Sequence, residues 1–161
     1  MTQKLFSPRR LALAGAALLL CTTAAFAQTG PSPARQAIEA RKAVFTLIGS
    51  NCRALGDVVK GTTAFDAADV QKRAHRIAFL STFLNESFPD VSNVGEPDTK
   101  TKAEAWTNHA EFAKKIKDFQ DHANALVQVS ATETSVSDAF KASFTSLAGD
   151  CKGCHEDFRV K

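Results

Sequence analysis

Beyond Met1 the chain contains no methionine. No thioether is therefore available to bind a metal once the first residue is gone. Cysteine is also scarce, with four in 161 residues. No second Cys/His pair accompanies the cluster near the C-terminus, so a structural zinc site lacks its fourth ligand. Strand-like alternation is absent, and with it the βαβ setting of a thioredoxin-type dithiol. The only long apolar run, Leu11 to Leu20, is too short to span a bilayer. Internal repeats and low-complexity tracts are missing too.

That run belongs to an expected export signal. Lys4, Arg9 and Arg10 form a basic n-region, and Ala25-Phe26-Ala27 is an A-x-A cleavage sequence. Residues 1–27 are thus expected to be a cleaved signal peptide, with 28–161 as one mature domain in the periplasm. The signal also carries the charge excess. The whole chain has 20 Lys+Arg against 17 Asp+Glu, and removing Lys4, Arg9 and Arg10 leaves 17 against 17. A balanced domain argues against nucleic acid and anionic membrane as partners. No membrane span is expected in the mature form.

What is present is Cys151-Lys152-Gly153-Cys154-His155, the C-x-x-C-H attachment sequence for a c-type haem. Each thiol can add to a haem vinyl group, and the imidazole can bind the iron from one side. On a helix, positions three and four apart share a face. Val136, Phe140, Phe144, Leu147, Cys151, Cys154 and Phe158 form such a stripe, which predicts a helix with the motif turned to the core. Arg159 follows His155 by four and is predicted on the same face. Ser130-Ala131-Thr132-Glu133 and Ser135-Val136-Ser137-Asp138 compete as its start.

Three more helices are predicted. The first, from about Ala34 to Val59, carries Ile38, Arg41, Phe45, Ile48, Cys52, Leu55 and Val59 at steps of three and four, and Gly61 suits its end. Pro33 is assigned to a loose leader. Cys52 reads as a buried small hydrophobe, with a disulfide between subunits as the alternative. The second helix starts at Asp66 and runs to Phe88-Pro89, with Phe79 and Phe83 on a flank that suits a partner subunit. A polar loop follows, from Asp90 to Lys100. The third opens with the capping box Thr101-Lys102-Ala103-Glu104 and places His109, Phe112, Ile116, Phe119, Ala123 and Leu126 inward, with His122 in solvent. The fold class is all-α, an antiparallel four-helix bundle with covalently bound haem c.

The chain resembles cytochrome c′, of the class II cytochromes c. Ala40-Arg41-Lys42-Ala43-Val44-Phe45-Thr46-Leu47, Lys60-Gly61 before Asp66-Ala67-Ala68, Trp106, and the stretch from Cys151 to Arg159 carry the resemblance. It implies one covalent haem c on Cys151 and Cys154, His155 as axial iron ligand, and often a homodimer built on the first two helices. Carried over by position, Arg41 and Lys42 lie on the propionate side, Phe45 caps the distal face and Arg159 stands on the proximal side. Lys42 occupies a position that is commonly Gln in the family. For Arg41 an ordinary snorkelling surface role is the alternative; for Arg159, compensation of the helix dipole.

The function expected is that of a periplasmic haem protein with five-coordinate iron. It would bind nitric oxide and carbon monoxide, transfer single electrons with redox partner proteins, or do both. The alternative is a low-spin electron carrier, like cytochrome c556, with a sixth protein ligand. Nothing pairs a distal acid-base His with an Arg, so an enzyme is not expected.

Overall fold

The computed structural model describes residues 30–95 and 97–161. The expected signal peptide and Gln28 therefore lie outside the described residues. Among the described residues, helices supply all the regular structure except one isolated antiparallel bridge, and none is long and apolar enough to cross a membrane.

Helix α1 covers Pro33–Val59. Pro33 is not leader but the first helical residue, where its missing N–H costs nothing. Ser32 caps it by accepting from the Arg35 amide at 3.3 Å. The helix stops where Gly61 takes a φ of 76°, as expected of a left-handed C-terminal position. Helix α2, Ala67–Ser81, is capped by Asp66, whose Oδ1 accepts from the Asp69 amide at 2.8 Å.

Asp69 also pairs with Lys72 and Arg73, both at 2.6 Å, and hydrogen bonds from these two hold its carboxyl below the ordinary carboxylate range. A depressed folded value adds stability above the unfolded carboxylate range, lost as pH falls through the folded value. Asp69→Asn is thus expected to lower stability by a few tenths of a kcal/mol at pH 7, given its exposure, and by nothing at pH 2. Thermal melts at the two pH values check this.

The α-geometry of α2 ends earlier than Phe88-Pro89 predicts. Thr82–Glu86 is a 3-10 segment. Ser81 Oγ and Thr82 Oγ1 donate to the carbonyls of Ala78 and Phe79, both at 2.7 Å, and Gln120 Nε2 of a later helix takes the Ser81 carbonyl at 2.9 Å. These competing bonds tighten the last turn.

The capping box at Thr101 does not form. Thr101 is extended and bridges Arg159, flanked by Lys102 N–H to Phe158 O at 2.9 Å and Val160 N–H to Lys100 O at 2.8 Å. The helix that follows is broken in two. Helix α3, Glu104–Thr107, stops at Asn108, with φ −109° and ψ 59°, and α4 runs from His109 to Ser130. His109, predicted inward, is exposed at the first position of α4, because the break turns the stripe before Phe112. Helix α5, Asp138–Phe158, takes the second of the two predicted starts: Ser137 Oγ accepts from the Phe140 amide at 3.0 Å.

Helices α1, α2, α4 and α5 form the bundle. α4 packs extensively on α2 and on α5, α1 lies on α2, and α1 meets α5 only briefly. Two apolar clusters result. The main one joins Ile48, Leu55, Val70, Ile77, Phe119, Leu126, Phe140 and Leu147 across all four helices. The smaller joins Trp106, Phe112 and Phe158 at one end.

Candidate haem site

The motif lies where the two clusters meet. Cys151 packs against the main cluster and Cys154 against the smaller one, while Ile116 of α4 touches both. Both thiols are free and half-buried, and His155, one residue on, reaches the surface. Two thiols at i and i+3 with an imidazole at i+4 present one face of α5. That donor set fits a haem held by two thioethers and one nitrogen. Its walls are apolar, as a flat hydrophobic ring requires.

An aromatic file leads away from the motif. Phe158 meets Phe112 edge-to-face at 5.0 Å, Phe112 meets Phe88 at 4.7 Å, and Phe88 meets Phe45 at 6.2 Å. Such pairs add ~0.5–1.5 kcal/mol each beyond area burial. Phe45, predicted on the core seam of α1, is 38% exposed. Its neighbour Val44 takes the core contact at that turn, which leaves the Phe45 ring on a flank. An apolar ring left partly in water is where a further apolar group gains most.

Arg41, one turn before Phe45, is no snorkelling surface residue. It is 3% exposed. Its guanidinium donates to Ser87 O at 3.2 Å, Ser92 Oγ at 3.0 Å and Thr99 Oγ1 at 2.9 Å. It also lies over the Phe88 and Trp106 rings at 4.7 and 5.8 Å. Burial pushes its value down from the ordinary Arg range. The Asp90–Lys100 loop is thus folded over a cation, which explains how so polar a segment can be ordered against the bundle. Lys42 is exposed and pairs with Glu39 at 3.3 Å, apart from that network.

Arg159 departs from the predicted face. With φ −124° and ψ 132° it caps α5 in extended geometry and pairs with Thr101. It remains close enough to act on His155: burial first, then the Arg159 charge, lowers the imidazole value. Both effects favour the neutral ring, the form that offers a lone pair to iron. Lys102 Nζ donates to the Glu156 and Asp157 carbonyls at 3.1 and 2.9 Å, satisfying the open end of α5.

Three site features escape the sequence pattern. His122, predicted in solvent, is partly exposed but also bonds Asp150 through Nδ1 at 2.7 Å, joining α4 to α5 one residue before Cys151. Lys115 pairs with Asp157 at 2.9 Å, and its Nζ lies beside Gly153. The i, i+4 spacing of Glu111 and Lys115 was the available signal for the second, but nothing local marks a cross-helix partner. The third is Cys52, whose interaction with Cys151, together with burial, pushes the Cys52 thiol up, while the same interaction draws Cys151 down against its own burial. Cys154 is pushed up to about 11, chiefly by burial.

Fold and site together define a c-type haem carrier built on a four-helix bundle. The model of the cytochrome c′ family matches residues 36–159. The chain therefore belongs to the cytochrome c′ family, whose members bind a single covalent haem c. It is 35% identical over 122 residues to cytochrome c′ of Pararhodospirillum photometricum, covering 76% of this chain and 94% of that one. The structure of cytochrome c prime from Shewanella frigidimarina superposes with a TM-score of 0.75 at 33% identity, covering 82% of this chain and all of that one. A nitric oxide complex of a mutant cytochrome c prime from Alcaligenes xylosoxidans does so with a TM-score of 0.72 at 26% identity, covering 80% and 97%.

Proposed function

We propose that this protein is a periplasmic cytochrome c′ with five-coordinate iron that binds nitric oxide and carbon monoxide. Residues 1–27 act as its signal peptide and 28–161 as the haem domain. Cys151 and Cys154 hold the haem, His155 is the iron's one protein ligand, and Arg159 stands on the proximal side. The haem supplies an iron centre that can take a small diatomic ligand or exchange one electron. Around it the chain fixes an imidazole on α5 and keeps water away with the aromatic file from Phe45 to Phe158.

The observation that carries the reading is Phe45. An aromatic ring with no donor atom, 38% exposed on α1, stands where the resemblance puts the distal face. The sequence beyond Met1 offers no methionine to take its place. An apolar cap gives no hydrogen bond to a polar ligand and so leaves small apolar diatomics favoured. The nitric oxide complex of the Alcaligenes xylosoxidans protein supports this choice of ligand. Arg41 and Lys42 stay on the propionate side in this reading, Arg41 by holding the Ser87–Thr99 loop along that edge. The activity is one of binding and carriage rather than catalysis.

A homodimer on α1 and α2 completes the proposal. Leu47, Phe79 and Phe83 are exposed by 51%, 65% and 37% there. Leu47, Phe79 and Leu80 also line a shallow groove between the two helices, an apolar surface that a second copy could cover.

Carbon monoxide titration of the reduced, exported protein is the test. Intact mass should correspond to residues 28–161 plus one haem, and the optical change should saturate at one equivalent per chain. A chain without haem, or reduced protein indifferent to carbon monoxide, would overturn the proposal.

A further inference from the structure

We propose that Lys102 is a positioning residue for His155: from the segment before α3 it fixes the turn of α5 on which that imidazole stands. Its bonds end on the residues that follow His155. The ammonium donates to the Glu156 and Asp157 carbonyls at 3.1 and 2.9 Å, and the amide donates to the Phe158 carbonyl at 2.9 Å. These consecutive carbonyls belong to the last turn of a helix, where unpaired acceptors collect. The cause is visible. Arg159 is extended, so the Val160 amide, which a continuing helix would give to Glu156, goes to Lys100 O at 2.8 Å instead. Lys102 Nζ takes its place. The helix dipole favours a cation at this end as well.

The strap that carries Lys102 is itself held. The Thr101 amide donates to Thr99 Oγ1 at 3.1 Å, and the same oxygen accepts from the buried Arg41 Nη2 at 2.9 Å. From α4, Lys115 pairs with the Asp157 carboxylate at 2.9 Å. The turn after His155 is thus gripped by two elements other than its own. Cys151 and Cys154 anchor the helix upstream of His155 once they hold haem, and Lys102 anchors it downstream. A ligand carried between two fixed points has little freedom to tilt, and outer partners of this kind orient the groups that bind a metal. The inference rests on His155 being the axial ligand and stands whichever ligand the iron takes on its other face.

Two measurements on the reduced, haem-loaded protein test this: amide hydrogen exchange, and the iron–imidazole stretching band in resonance Raman spectra. The Arg159 amide donates to His155 O at 3.2 Å and so reports on the turn. Lys102→Met should speed its exchange about tenfold, as loss of two bonds from one ammonium implies. The same variant should broaden the stretching band, because the imidazole then samples more orientations. Lys102→Arg, whose fork can reach both carbonyls, should restore the two readouts. Lys117→Met removes an exposed lysine paired to Asp121 within α4 and should move neither. Faster exchange with an unchanged band would leave Lys102 a helix cap only and overturn the proposal. A band that Lys117→Met broadens equally would do the same. Absence of the band from the parent protein would refute His155 as ligand, and this inference with it. A band that is present but indifferent to Lys102→Met would refute this inference alone.

Discussion

Replacing Phe45 by Ala is expected to speed carbon monoxide binding to the reduced protein by at least about tenfold, a barrier change of only ~1.4 kcal/mol. The ring stands on α1 with its edge against Phe88 at 6.2 Å and 38% of its surface in water. As the proposed distal cap it would have to swing aside for a ligand to enter behind it. Removing the six ring carbons deletes that motion. Little stability should go with it, because Val44 rather than Phe45 makes the core contact at this turn. The two effects separate cleanly: flash photolysis reads the rate and urea unfolding reads the fold. An unchanged rate would mean that Phe45 does not cover the ligand's path.

Arg41→Leu is expected to do the reverse, costing about 3 kcal/mol of stability while leaving the entry path in place. Three acceptors, Ser87 O, Ser92 Oγ and Thr99 Oγ1, share this one guanidinium. Leucine fills much of the volume but leaves them without that donor, in a place too closed for water to compensate. Lysine should rescue only part of the loss, since one ammonium cannot reproduce the planar fork or its stacking on Phe88 and Trp106. The midpoint of urea unfolding of the haem-loaded protein reads both variants. A loss near zero for Arg41→Leu would mean that the 87–99 loop holds without the cation.

The residues legible from sequence were those whose causes are local. Ile38, Ile48 and Leu55, or Phe140 and Leu147, announce helices because one turn repeats every 3.6 residues, and all five are buried. Asp66, Ser137 and Gly61 mark helix ends through bonds spanning three or four residues. The C-x-x-C-H sequence carries its chemistry in five consecutive positions. What escaped was set by partners far along the chain. Ser81 ends α2 partly because Gln120 takes its carbonyl. Thr101 fails to cap a helix, and Arg159 fails to continue one, because each is the other's bridge partner. His122 points at Asp150 for reasons that exist only once the helices are side by side. Arg41 belongs with these. Its spacing placed it on the inner stripe, but only the folded 87–99 loop makes a buried cation tolerable there.

The optical spectrum of the reduced, haem-loaded protein at neutral pH tests most directly whether His155 is the iron's sole protein ligand. With no methionine beyond Met1 and the phenyl ring of Phe45 proposed as the distal cap, the expected result is a high-spin, five-coordinate spectrum that converts on adding carbon monoxide. A low-spin, six-coordinate spectrum before any ligand is added would contradict the account and make the protein an electron carrier capped by one of its own side chains.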